Sequence, residues 1–162
     1  LDVSIRAQVL NLLSDIQEQF SLTYLIIAHD LALVEHFSRH VGVMYLGEMV
    51  ETGPTDEVFG EPRHPYTQGL LASVPDLRDS SHARLTPIPG SPPDMLSPPP
   101  GCPFTPRCPH ARRQCMAALP PLFAPETARH LGQGQRARCW LHHPEAPQVA
   151  GINTERMQEA AL

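Results

Sequence analysis

Leu22-Thr23-Tyr24-Leu25-Ile26-Ile27-Ala28-His29-Asp30 is the stretch whose reading decides the fold. Residues 22–28 are short, rich in β-forming side chains and apolar without alternation. Such a run suits a strand buried on both faces of a parallel sheet. Upstream, Ser4 is a fair N-cap, and Ile5, Val9, Leu12, Leu13 and Ile16 recur at helical spacing. The spacing predicts an amphipathic helix over 4–19, with Arg6, Asp15 and Glu18 toward water. Downstream, a second helix is predicted over 31–39, with Leu33, Val34 and Phe37 pointing inward.

Residues 41–46 and 49–53 then read as two strands of an antiparallel hairpin, turning at Gly47-Glu48. A short helix over 55–59 and another over 65–73, stopped by Pro75, complete the ordered half. Helix, buried strand, helix, strand is the order of a doubly wound α/β sheet. Two strands and one crossover cannot close such a sheet, so its other strands are expected from elsewhere. The chain, which begins Leu1-Asp2 without a methionine, reads as starting in mid-domain.

The chain is 162 residues long, 41% apolar, with a formal net charge of −5. That charge argues against a general nucleic-acid binder, which must neutralise a run of phosphates. All twelve basic side chains are arginine, so no P-loop lysine is present. No run approaches the roughly 18–20 apolar residues needed to span a bilayer, and no signal peptide is evident. From Pro75 onward the grammar changes. Residues 76–148 carry the Pro-rich runs 87–93 and 98–101 and all four cysteines, and 149–162 read as a frayed or weakly helical tail.

His29 follows directly on the apolar run. In open α/β sheets ligands bind beyond the carboxyl ends of the strands. An imidazole there can donate one hydrogen bond and accept another, which suits a γ-phosphate oxygen or an attacking water. The bland alternative is a histidine that caps the next helix.

Cys102, Cys108, Cys115 and Cys139 have spacing C-x5-C-x6-C-x23-C. Structural zinc sites favour C-x2–4-C knuckles, a poor match. Iron–sulfur clusters tolerate looser spacing, and the Cys-Pro steps at Cys102 and Cys108 are compatible with one. The weakly apolar surroundings favour a staple, with ligation replacing the missing core. A cluster, four metal-free thiols and a zinc ion are the three readings, in that order of preference. Arg107, Arg112 and Arg113 read as a solvated basic patch, with a helper role in offsetting cluster charge as the alternative. His64 reads as shaping its turn. Tyr66, Leu70 and Leu71 read as helix packing, Trp140 as shielding, and His142-His143 as poor candidates for extra ligands. No His-Glu-x-x-His or similar open site supports a zinc hydrolase.

Several of these segments resemble a known family. Leu1-Asp2-Val3-Ser4 looks like the D-loop of ATP-binding-cassette ATPases, and Ile26-Ile27-Ala28-His29-Asp30-Leu31 resembles their switch-histidine loop. The stretch from Arg39 to Gly53 is similar to the closing hairpin of the same domain. Pro62-Arg63-His64-Pro65-Tyr66-Thr67-Gln68-Gly69-Leu70-Leu71 and Gly101-Cys102-Pro103-Phe104-Thr105-Pro106-Arg107-Cys108-Pro109 resemble segments of the ATPase subunits of dipeptide and oligopeptide importers.

The resemblance implies the C-terminal portion of a P-loop NTPase domain over 1–75, then a Pro/Cys-rich extension over 76–148. It implies ATP and Mg²⁺ in the complete subunit, with His29 at the γ-phosphate and Asp2 at the seam with a second ATPase subunit. It also implies transmembrane permease subunits, an indirect link to a peptide-binding protein, and a peripheral place on the cytoplasmic face of the bacterial inner membrane. Some relatives carry a four-iron cluster at the cysteines. The P-loop, Gln loop, signature motif and Walker B carboxylates are absent from these residues, so no ATP binding or hydrolysis is expected of them alone. The rival expectation is a metal-stapled interaction module without catalytic activity.

Overall fold

The computed structural model describes residues 3–74, 87–125, 134–146 and 157–159. The chain divides into two compact units, 1–37 and 38–162.

In the first unit, helix α1 (Val3–Phe20) and helix α2 (Leu31–Phe37) flank an extended segment. Helix α1 begins one residue ahead of the serine expected to cap it. Its apolar stripe is only partly covered: Leu13 and Ile16 are half-buried, whereas Ile5, Val9 and Leu12 are exposed. The buried strand expected at 22–28 does not form. The segment is extended but belongs to no sheet, and Leu25 and Ile27 are 92% and 96% exposed. A strand exists only through hydrogen bonding to a neighbour, and no other described segment pairs with this one. Tyr24 and Ile26 alternate with the exposed pair and are half-buried, and the Tyr24 ring stacks on Phe37 with centroids 6.4 Å apart. The doubly wound parallel sheet is likewise not found among the described residues.

The second unit is built on an antiparallel sheet of order β1-β2-β4-β3-β5. Strands β1 (His40–Tyr45) and β2 (Glu48–Pro54) form the expected hairpin. Tyr45 pairs with Glu48, so the turn is Leu46-Gly47, one residue earlier than expected. Both turn residues have positive φ, 48° and 82°. That is the signature of a two-residue turn whose twist matches the strands, with glycine second. A bulge between Val43 and Met44 leaves Val50 as an extra residue on β2. Normal alternation breaks there, and Val50 and Glu51 are both buried.

Helix α3 (Thr55–Gly60) and helix α4 (Pro65–Ala72) follow closely on expectation. Proline at the first position suits α4, because that N–H would be unpaired in any case. The Pro75 stop lies outside the described residues. The cysteine-rich segment adds a short helix, α5 (Arg113–Ala117), and β3 (Phe123–Pro125), β4 (Arg136–Ala137) and β5 (Met157–Glu159). Strand β4 pairs with β2, so the hairpin and the Pro/Cys-rich segment share one sheet. Within the expected tail, 157–159 form a strand against β3 rather than a helix. The core packs Tyr45 and Val50 of the hairpin against Cys102, Phe104 and Cys115. Tyr45, Tyr66 and Phe104 meet with ring centroids 4.6–5.5 Å apart, within the range for favourable aromatic pairs.

Candidate functional sites: an exposed histidine and a buried thiol pocket

His29 ends the extended segment immediately before α2, and its side chain is exposed. The capping role that would have made it merely structural goes to its neighbour: Asp30 Oδ1 accepts from the Leu33 N–H at 3.2 Å. His29 is therefore free to meet a ligand. Asp2 lies outside the described residues.

The four cysteines come together. Cys102, Cys108, Cys115 and Cys139 line one small pocket with His64, His110, Phe104 and Trp140. All four are free thiols. Backbone contacts fold the first three into a compact loop. The Cys102 N–H donates to Cys115 O at 2.8 Å, Thr105 N–H to Cys102 O at 3.0 Å, and Ala111 N–H to Cys108 O at 3.2 Å. Gly101 is required at the join, since a Cβ there would collide with the backbone of Cys115 and Met116. Burial drives the thiols toward the neutral form: Cys102 and Cys139 are raised, and Cys108 is pushed up to about 11. Without a cation these groups remain protonated and pack as small apolar side chains.

The donor chemistry fits a soft metal or an iron–sulfur cluster, because four thiols and little else polar surround the space. The void itself is about 10 Å³, room for one water-sized atom. As the side chains stand, no group of three or more Cys, His, Asp or Glu among the described residues forms a ready metal site. Loading therefore requires the pocket to rearrange, and a cluster requires more expansion than a single ion.

Sequence reasoning missed the polar clamp behind this pocket. Glu51 is fully buried on β2. Its Oε1 accepts from Arg63 N–H at 2.7 Å and from Gln135 Nε2 at 2.7 Å, and its Oε2 accepts from His64 N–H at 3.0 Å. Arg63 Nε donates to Gln135 Oε1 at 2.8 Å, Gln135 Nε2 also donates to Glu61 O at 2.8 Å, and Gln135 N–H donates to Glu57 Oε2 at 2.9 Å. Desolvation raises the Glu51 pKa, and the hydrogen bonds pull it partway back. The only sequence signal was an acidic residue directly after the apolar pair Met49-Val50. Gln135 gave none.

The histidines divide their tasks. His64 does shape its turn: its Nδ1 accepts from Tyr66 N–H at 3.0 Å and caps α4. His142 Nε2 donates to Arg63 O at 3.0 Å, which leaves its buried Nδ1 without a partner among the described residues. Burial lowers both, His64 to about 3 and His142 to about 4. Neither His142 nor His143 lines the thiol pocket. Arg107 is no solvated patch residue. Its Nε and Nη2 donate to Pro89 O and Ile88 O, both at 3.0 Å, and Nη1 reaches Tyr45 Oη at 3.4 Å. It pins the Pro-rich run to the hairpin. Trp140 shields the pocket and donates from Nε1 to Ala118 O at 3.0 Å.

Residues 50–115 match the family described as the oligopeptide/dipeptide transporter, C-terminal region. The chain belongs with the ATP-binding subunits of peptide ABC importers, in their C-terminal region. It is 44% identical to the oligopeptide transport ATP-binding protein OppD of Bacillus subtilis over 92% of this chain and 40% of that protein. Identity is also 44% to the probable peptide ABC transporter ATP-binding protein y4tS of Sinorhizobium fredii, over 100% of this chain and 44% of the relative. Against the dipeptide transport ATP-binding protein DppF of Escherichia coli it is 48%, over 75% of this chain and 36% of the relative. The chain thus spans about two fifths of the length of the curated relatives it matches. Among the described residues no helix is long and apolar enough to cross a membrane.

Proposed function

We propose that this chain is part of the ATP-hydrolysing subunit of a bacterial peptide importer. Within that subunit His29 meets the γ-phosphate of ATP and holds the attacking water in line. The observation that carries this reading is the 44% identity to OppD across 92% of the chain. The exposed imidazole at the end of the extended segment, with capping left to Asp30, supports the role of His29. Phosphoryl transfer needs positioning and charge stabilisation more than covalent chemistry, and a neutral imidazole can supply both contacts. Asp2 is assigned to the seam with a second ATPase subunit. Partners are the transmembrane permease subunits and, through them, a peptide-binding protein, with the subunit peripheral on the cytoplasmic face of the inner membrane.

The phosphate-gripping lysine and the Mg²⁺ carboxylates are not in these 162 residues. Alone, the chain is expected to bind neither ATP nor Mg²⁺-ATP, and a titration giving micromolar affinity would overturn this. In the complete subunit, His29→Ala should lower ATP turnover about a hundredfold, the usual cost of removing one hydrogen bond to developing charge. Turnover equal to the wild type would remove His29 from the site.

For Cys102, Cys108, Cys115 and Cys139 the proposal is a thiolate-ligated metal staple holding an iron–sulfur cluster or a zinc ion. Their convergence on one buried pocket supports ligation, while the small void favours the single ion. Iron, sulfide and zinc analysis of anaerobically purified protein decides between them. A second function, a non-catalytic module docking to the importer, gains support from the self-contained packing of residues 38–162. Stable folding of that segment on its own, with no effect of His29→Ala on turnover, would favour it.

A further inference from the structure

Cys102 and Cys115 are distant in sequence but adjacent in the backbone, where the Cys102 N–H donates to Cys115 O at 2.8 Å. Covalent geometry on either side of that bond keeps their Cα atoms within about 6.7 Å, and a disulfide spans about 4.4–6.8 Å. The juxtaposition is held from both sides. Thr105 Oγ1 also donates to Cys115 O, at 3.1 Å, and Gly101 leaves no room for a Cβ against the same carbonyl. Both cysteines are buried and line one small pocket, so their side chains share one space. Cys102 and Cys108, by contrast, are separated by two successive turns, Thr105 N–H to Cys102 O and Cys108 N–H to Thr105 O.

We propose that Cys102 and Cys115 are a redox-sensitive pair, which closes a disulfide when the metal-free chain meets a disulfide oxidant such as glutathione disulfide. The proposal goes beyond the transport reading and concerns the chain before any metal is taken. The thiolate of one cysteine attacks a glutathione sulfur, forming a mixed disulfide and releasing one glutathione thiolate. The second cysteine, as thiolate, attacks the protein sulfur of that mixed disulfide and expels the other glutathione thiolate. The two leaving thiolates take up the two protons that the cysteines gave to solvent, and the two electrons end on glutathione. Burial confines the first step to local openings and makes it slow. The second is fast, because the backbone already holds the partners together. In a reducing compartment such a bond is transient and reports oxidation. While closed, it withdraws two of the four thiols from any metal.

The test uses the full chain, stripped with a chelator and incubated with glutathione disulfide at pH 8, folded and in urea. Remaining thiols are alkylated and the chain is cleaved after arginine. Cuts after Arg107, Arg112 and Arg138 place each cysteine on its own peptide, so mass spectrometry identifies every link. In the folded chain the Cys102–Cys115 link should exceed any other pair about tenfold or more. In urea the order should reverse, because the shorter loops 102–108 and 108–115 close more readily. The folded, linked chain should also gain about 1 M in urea midpoint, and reduction with dithiothreitol should remove the gain. No Cys102–Cys115 link in the folded chain, or another pair formed equally there, would overturn the proposal. A linked chain no more stable than the reduced one would also overturn it, since the bond would then be forced on the fold.

Discussion

Glu51→Ala tests the clamp that joins the hairpin to the Cys-rich segment. The carboxylate accepts from two backbone N–H groups, those of Arg63 and His64, and from Gln135 Nε2. Gln135 Nε2 keeps its second acceptor, Glu61 O, so the two backbone donors suffer most. A buried donor left unpaired costs about 1–3 kcal/mol, which gives about 2–6 kcal/mol for two. Removing a desolvated carboxylate returns part of that, and about 3 kcal/mol is the net expectation. A domain of this size has about 5–15 kcal/mol in all, so the loss is large. Trp140 is the only tryptophan and packs in the same unit, so its fluorescence reports this unfolding alone. With a urea slope of about 2 kcal/mol/M, the midpoint should fall by about 1.5 M. Glu51→Gln keeps one acceptor oxygen and should lose about half as much. A Glu51→Ala midpoint within about 0.3 M of the wild type would refute the reasoning, because the donors would then have found other partners.

Acid should destabilise the chain through His64 and His142, whose folded pKa values of about 3 and about 4 lie below the ordinary 6.5. Their stabilisation is complete above pH 6.5 and is lost as pH falls toward the folded values. At pH 5 each costs at most about 2 kcal/mol. Glu51 acts in the opposite sense, since its raised pKa lets the folded chain take up that proton first as the pH approaches 4.5. Urea midpoints at pH 7 and pH 5 measure the net, and equal or higher stability at pH 5 would contradict it. Gly47→Ala should cost only about 1 kcal/mol, for its positive φ in open space. Gly101→Ala meets backbone and should cost several-fold more in the same melts, with equal costs counting against the packing described. For metal-free protein at pH 8, a thiol reagent should label Cys108 about a hundredfold more slowly in the folded than in the urea-unfolded chain. Equal rates would show the thiol to be open to solvent.

Local signals decided the local elements. Pro65 marks the start of α4, and two strand-like runs joined across Gly47-Glu48 mark the hairpin. The turn slipped by one residue because its type needs two left-handed residues, and only the second announces itself as glycine. The apolar run at 22–28 showed an extended preference but not whether a neighbouring strand would meet it. Leu25 and Ile27 stand exposed because pairing is a property of two segments.

From the sequence alone came the hairpin, helices α1 to α4, the histidine ahead of α2, the set of four cysteines and the resemblance to peptide-importer ATPases. These are written in spacing and short motifs, which act over a few residues. Only the tertiary structure brought Cys139 to cysteines 24–37 residues earlier, buried Glu51 beneath Gln135 and turned Arg107 into a backbone clamp. A charged side chain reads as solvated until some distant segment supplies its partners. No local pattern states which segment that will be.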